Sequence, residues 1–203
     1  MVTQSNALAV GLLDRWPDWP DRRLLLIGPE GAGKSHLARI WAAEAGATPV
    51  VPAEVTAEAA PDLATLPLVL EDVDAALGSG GLAEETLFHL LNACLTSGRG
   101  LLMTARRAPA DWGVRLPDLS SRLDAITPAP IEDPDDALLS MLLVKLFDDR
   151  QLRVRPALIG YLLGRMERSH AAARDLVARL DREALARRVP LDQRLAREVL
   201  DEG

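Results

Sequence analysis

The sequence predicts an α/β fold, a parallel five-stranded sheet flanked by helices, followed by a small all-helical domain. Three observations predict it. Short apolar runs alternate with stretches of helical periodicity as far as about residue 130. Gly28 to Ser35 read G-P-E-G-A-G-K-S, placed between an apolar run and a helical pattern. Beyond a break at Pro128, Pro130 and Pro134, every pattern is helical. Alternation of strands and helices is the signature of a parallel sheet covered by helices. The expected division is an α/β domain over residues 1–130 and a helical domain over 131–203.

Each element follows from its residues. The first strand is expected at Leu24–Ile27, an apolar run short enough to be buried on both faces. A helix follows over Ser35–Ala45, with Leu37, Ile40, Trp41 and Glu44 at helical spacing and Gly46 as its C-cap. Further strands are expected at Pro49–Val51, Leu68–Leu70, Leu101–Thr104 and Ala125–Thr127. Between them Glu84–Leu95 places Leu87, Leu90, Leu91, Cys94 and Leu95 on one helical face. The second domain reads as helices over Asp135–Asp148, Pro156–Met166 and His170–Arg187, with a short one near Leu191–Leu200. Trp16-Pro17-Asp18-Trp19-Pro20 is a rigid turn whose indoles pack an N-terminal helix onto the sheet, with interface use as the alternative.

Composition narrows the function. With 203 residues and 48% hydrophobic ones, the chain can bury a core, but aromatics are only 3%, so Leu, Ala, Val and Ile must fill it. A net charge of −7 argues against broad electrostatic binding to DNA or to an anionic membrane. Cys94 is the only cysteine, so no internal disulfide forms. No positive segment precedes the short apolar run Ala7–Leu13, so a signal peptide is not expected. No apolar stretch reaches the roughly 18–20 residues that span a bilayer. A cytoplasmic protein is expected, with no membrane partner.

The motif at Gly28–Ser35 fits the phosphate-binding loop G-x-x-x-x-G-K-[ST] without a mismatch. Glycines let backbone N–H groups turn inward around a phosphate at the start of the following helix. Lys34 is long enough to reach β- and γ-phosphates, and Ser35 offers a hydroxyl to Mg²⁺. Such a loop needs a second strand ending in acids that hold the metal and orient water. Leu68-Val69-Leu70-Glu71-Asp72-Val73-Asp74 supplies it, with Glu71 expected on the metal and Asp72 on the water. That order reverses the common Asp-then-Glu pair. Thr104, at the end of the fourth strand, is a candidate for contact with the γ-phosphate or the water, or else a threonine bonded to backbone.

Arg122 and Arg174 are candidate phosphate-charge stabilisers, one supplied to a neighbour and one closing from the helical domain. Spacing alone does not single them out. Arg165, Arg168, Arg179, Arg182, Arg187 and Arg188 crowd the same helices, balanced by Glu167, Asp175, Asp181 and Glu183 as on any solvated face.

Several motifs together resemble one group. Gly33-Lys34-Ser35-His36-Leu37 resembles the loop form of the DnaA and DnaC group of AAA+ ATPases. Asn6 with Ala9 resembles the short helix that flanks adenine there. Thr104-Ala105-Arg106 resembles the group's sensor 1, with Arg106 where an acid is usual. Leu119-Ser120-Ser121-Arg122-Leu123 resembles its arginine-finger box, and Arg174-Asp175-Leu176 its sensor 2 helix. The resemblance covers nearly the whole chain. It implies an AAA+ P-loop module followed by a helical lid, and ADP or ATP with Mg²⁺ as cofactors. It implies that Asn6, Pro29, Glu30, Gly31, Ala32, Gly33, Lys34, Ser35, His36 and Arg174 bind nucleotide, and that Ser35 and Glu71 hold the metal. Glu71, Asp72, Thr104 and the in-trans finger Arg122 would be the catalytic set.

Within the group the resemblance is to regulators homologous to DnaA. It implies a partner, the DnaA initiator, whose bound ATP is hydrolysed with help from Arg122, and weak intrinsic ATPase. Self-association through the AAA+ interface is a further implied contact. DnaA reads origin DNA with a C-terminal helix-turn-helix domain; this sequence ends at Gly203, just past the lid, so sequence-specific DNA binding is not expected. Clamp-binding regulators carry a short N-terminal glutamine-leucine motif. None precedes Ser5, so a sliding clamp is an implied partner only for a chain extended before Met1. The alternative is an autonomous ATP-driven remodeller such as a DnaC-like helicase loader. It would need turnover by Glu71 and Asp72. A small-molecule kinase fits poorly, because its lid should bring catalytic bases.

Overall fold

Continuous apolar runs such as Leu24-Leu25-Leu26 have no polar face, so they need cover on both sides. A computed structural model, which describes residues 2–201, provides it. The chain forms two units, one spanning Asn6–Glu132 and the other comprising the chain from Asp133 onward with the segment before Asn6.

The first unit runs α1 (Ala7–Leu13), β1 (Arg23–Ile27), α2 (Lys34–Ala45), β2 (Thr48–Val50), α3 (Ala60–Leu63), β3 (Leu68–Leu70), α4 (Val73–Gly78), α5 (Glu84–Ser97), β4 (Leu101–Ala105), α6 (Pro117–Asp124) and β5 (Thr127–Pro130). Its five strands are all parallel, in the order β2-β3-β4-β1-β5. Side chains alternate across the sheet. Leu25, Leu68, Leu70, Leu101 and Met103 meet α4, α5 and α6 on one face. Leu24, Leu26, Val69, Leu102 and Ala129 meet α1 and α2 on the other. Cys94 lies in the first of these cores, and burial pushes its thiol up to about 11, against a smaller downward pull from Arg23.

The fifth strand lies further along than the expected Ala125–Thr127, and it includes Pro128 and Pro130. Prolines read from sequence as a break are tolerated here because β5 is an edge strand. Ile131 N donates to Ile27 O at 2.7 Å, so by alternation the two prolines take the positions facing away from β1. Pro49 does the same in β2 at the opposite edge, where Thr48 N donates to Pro67 O at 2.8 Å. The stretch containing Arg122 forms a helix, α6, with Pro117 in its first turn, where its missing N–H costs nothing.

Three indoles fasten α1 to the sheet. Trp16, Trp19 and Trp41 have ring centroids 5.0–5.2 Å apart, and Trp19 Nε1 donates to Leu12 O at 2.7 Å. They leave no room beside Gly100. A Cβ there would lie 2.3 Å from one Trp16 ring carbon and 2.7 Å from another. Gly100→Ala should destabilise the first unit by about 1–3 kcal/mol through overpacking. The check is a lower urea midpoint with an unchanged slope, followed by tryptophan emission.

The second unit contains α7 (Asp136–Asp148), α8 (Pro156–Leu163), α9 (His170–Arg187) and α10 (Gln193–Asp201). Leu139, Leu143, Phe147, Leu162, Val177, Leu180 and Val199 form its core. Asp135 caps α7 by accepting Leu138 N at 2.7 Å, and this bond holds its carboxyl below the usual carboxylate range. Ser169 caps α9 by accepting Ala172 N at 3.0 Å. Helix α8 stops at Leu163, short of the expected Met166, because Gly164 takes the C-cap position. No helix among the described residues is long and apolar enough to cross a membrane.

Candidate functional site

The phosphate loop joins β1 to α2 at the carboxyl edge of the sheet. Its shape depends on glycine at two places, Gly31 with φ of 78° and Gly33 with φ of 105°, both in the region side chains disfavour. Gly28 is needed for a different reason. A Cβ on it would sit 2.3 Å from Ile131 O. Gly33 caps α2 in the left-handed conformation, and its carbonyl accepts from His36 N and Leu37 N. The amides of Gly33, Lys34 and Ser35 donate to no backbone carbonyl among the described residues. Unpaired N–H groups at the start of a twelve-residue helix suit an anion, so the loop fits a nucleotide phosphate.

Lys34 is only 6% exposed. Its Nζ donates to Gly28 O at 2.6 Å and Pro29 O at 2.8 Å, so the ammonium is held over the loop's own backbone. Burial lowers its pKa below the ordinary lysine value, opposed by the charge of Asp72, assisted by Arg106, and opposed by Asp74 and Glu30. Those four groups are the charged neighbours of the loop, and they come from three separate places in the sequence.

The acids follow β3. Glu71 is half-buried and Asp72 exposed, in the turn before α4. Asp72 has φ of 52°, a left-handed conformation that Asp tolerates better than most residues. Thr104, fully buried in β4, accepts Asp72 N on its hydroxyl oxygen at 2.9 Å. Of the two alternatives for Thr104, backbone bonding is thus observed, and the bonded backbone is that of Asp72. The hydroxyl proton stays available to a second partner.

Asp74 was not singled out by sequence. It is 4% exposed, and its Oδ2 accepts Arg106 N at 3.1 Å and Arg107 N at 3.3 Å. Its Oδ1 is buried without a hydrogen-bond partner among the described residues. The carboxylate ties the turn after β3 to the segment after β4. Only the third acid in Glu71-Asp72-Val73-Asp74 hinted at it. Arg106 reaches back to the loop, where its guanidinium lies 2.8 Å from the Glu30 carboxylate.

The other candidates stand elsewhere. Asn6 is buried at the start of α1, which packs on β5. Ala32 is buried inside the loop, while Ser35 and His36 are exposed on the first turn of α2. Arg122 is half-buried in the last turn of α6, whose Leu119 and Leu123 anchor it in the core on the sheet face opposite α2. Its guanidinium has no hydrogen bond or ion pair among the described residues. Arg174 is exposed on α9 of the helical unit. Among the described residues no cluster of His, Cys, Asp or Glu forms a ready-made metal site.

No protein-family model matches the chain. Solved structures do. Domain III of the replication initiation protein DnaA from Thermotoga maritima superposes with a TM-score of 0.82 at 16% identity, over 99% of this chain and 93% of that one. AMPPCP-bound DnaA from Aquifex aeolicus gives 0.75 at 18% identity, over 93% of this chain and 66% of that one. The RuvB Holliday junction branch migration motor of Thermotoga maritima gives 0.69 at 16% identity, over 88% of this chain and 61% of that one. At these identities the likeness establishes the fold. It is a parallel five-stranded sheet with flanking helices and a helical C-terminal region, the fold found in domain III of DnaA.

Proposed function

We propose that this chain, with the fold of DnaA domain III, is a nucleotide-binding regulator of replication initiation. In this reading it presents Arg122 to DnaA–ATP and stimulates hydrolysis there, as a regulator of the Hda kind. The observation that carries the reading is Arg122. It sits on a helix anchored in the core, carries no partner among the described residues, and is not one of the charges that act on Lys34. An arginine built to complete another molecule's site needs those properties.

The chain's own nucleotide is proposed to be ADP or ATP. The likeness to AMPPCP-bound DnaA and the unpaired amides of the loop support this. Lys34 and the loop from Pro29 to His36 would hold phosphates, and Asn6 would lie against the base. Ser35 and Glu71 would hold Mg²⁺, which when bound supplies charge neutralisation between phosphates. Asp72 would orient water, and its amide is fixed by Thr104. Arg174 would meet nucleotide from the helical unit. DnaA is the proposed partner, with self-association or a sliding clamp as further contacts, and a reducing cytoplasmic setting suits the lone buried Cys94.

A second reading, an autonomous remodeller, is favoured by the likeness to the RuvB motor and by the acids Glu71 and Asp72 beside the loop. One experiment separates the two. Phosphate release is measured for DnaA–ATP alone, for this chain alone and for the mixture, with and without DNA-loaded clamp. The regulator reading expects faster release only in the mixture. Turnover by this chain alone, with DnaA unaffected, would support the remodeller.

A further inference from the structure

Glu84 begins α5, yet it grips the start of the helix that carries Arg122. Its Oε2 accepts Leu116 N at 2.7 Å and Arg115 N at 3.0 Å, and its Oε1 lies 3.1 Å from the same Arg115 N. Leu116 is the N-cap of α6, and that helix has no side-chain cap of its own. A capping box supplies such a bond from within the helix, and here it comes from another helix. Among the described residues the N–H groups of Arg115 and Leu116 have no other acceptor. The Glu84 side chain is only 22% exposed, so these charge-assisted bonds are little weakened by water. The Arg115 guanidinium, 94% exposed and 4.0 Å away, adds little. Helix α6 needs this tie. Its eight residues are too few to be stable alone. Leu119 and Leu123 lie four apart on one stripe, which sets the depth of the helix but resists rolling only weakly.

We propose that Glu84 is a positioning residue for Arg122: by tying the start of α6 to α5, it fixes where that guanidinium is presented to a partner's nucleotide phosphates. The proposal rests on the finger reading of Arg122 and deepens it. Arg122 lies five residues beyond Pro117, about 7.5 Å along the helix axis. A tilt or roll at the start of α6 therefore displaces the guanidinium, and a displacement of about 1 Å can cost about 100-fold in rate. Glu84 itself touches no phosphate in this scheme. It acts through the helix, since the two N–H groups it accepts belong to the backbone. A glutamine keeps one acceptor oxygen for Leu116 N, whereas an aspartate falls one methylene short of it.

Phosphate release by DnaA–ATP, titrated with the full chain, gives a maximal stimulated rate and a half-maximal concentration for the wild type, E84A, E84Q, E84D, R122A and the E84A/R122A double variant. E84A should lower the maximal rate by about tenfold and leave the half-maximal concentration within about twofold of wild type. E84Q should recover to within about threefold of wild type, and E84D should not. On the R122A background E84A should change nothing further, since the two residues act as one unit. If E84A melts below the assay temperature, the contrast between E84Q and E84D carries the test. Full stimulation by E84A or by E84D would overturn the proposal. So would a loss confined to the half-maximal concentration, which would make Glu84 a docking contact, or a further loss on the R122A background, which would make it general damage. Failure of the wild type to stimulate DnaA, or wild-type stimulation by R122A, would instead overturn the finger reading, and this proposal with it.

Discussion

Arg122→Ala should remove most of the stimulation of DnaA–ATP hydrolysis, a loss of about 10³-fold or more where an arginine finger carries the effect. The chain itself should scarcely change. Leu119 and Leu123, not Arg122, hold α6 in the core, and among the described residues the guanidinium makes no bond that its removal would orphan. Its one local contribution is a positive charge in the last turn of α6, worth about 0.3–1 kcal/mol against the helix dipole. Melting temperature and nucleotide affinity should therefore stay close to wild type. Arg122→Lys keeps the charge but loses the planar fork, so it should recover little of the lost rate. The measurement is phosphate release by DnaA–ATP across these variants. Stimulation at wild-type level by the alanine variant would sink the finger assignment.

Lys34→Ala should lower the chain's affinity for ADP and ATP by about 100-fold, corresponding to about 2.7 kcal/mol. The lysine is held over the loop by Gly28 O and Pro29 O, so its position is set before any phosphate arrives. Removing it deletes a buried charge, which favours folding, and leaves two carbonyls without their donor, which opposes it. The net change in stability should be small beside the change in binding. The lowered pKa of Lys34 has a signed consequence. Between its folded-state pKa and the ordinary value of 10.5, the unfolded chain holds a proton that the folded chain has lost. Stability contributed by this group therefore rises with pH through that window, while phosphate binding falls as the ammonium is neutralised. Titration of ADP affinity as pH rises toward 10.5 should show the decline in the wild type and none in the alanine variant. Parallel profiles would show that another group titrates.

Sequence alone was a good guide where local signals agreed. Leu68–Leu70 and His170–Arg187 are found within the same bounds as read, because a short apolar run closed off by Pro67 and two acids favours a strand, and an unbroken 3.6-residue pattern favours a helix. The tight turn over Gly28–Gly33 was legible because its glycines answer to backbone angles, which depend on neighbours in sequence. The fifth strand was misplaced because Pro128 and Pro130 are legal only at a sheet edge, and edge position is a property of topology. Asp74 looked like one more acid in an acidic turn. Its bonds to Arg106 and Arg107 exist only once β3 and β4 lie side by side. The Glu30–Arg106 pair is of the same kind, two unremarkable surface charges until the loop strand pairs with β4.

The prolines at both margins of the sheet carry a consequence for assembly. A parallel sheet with free N–H groups along its rim can recruit a further strand from another copy and grow into a continuous ribbon. Here Pro49 at one rim and Pro128 and Pro130 at the other remove the donors that such growth needs. In the proposed reading, contacts with another protein would thereby be steered away from backbone pairing toward side-chain surfaces such as that of α6. Side-chain contacts of that kind would leave the sheet of each molecule intact, as a regulator that acts and then departs would need.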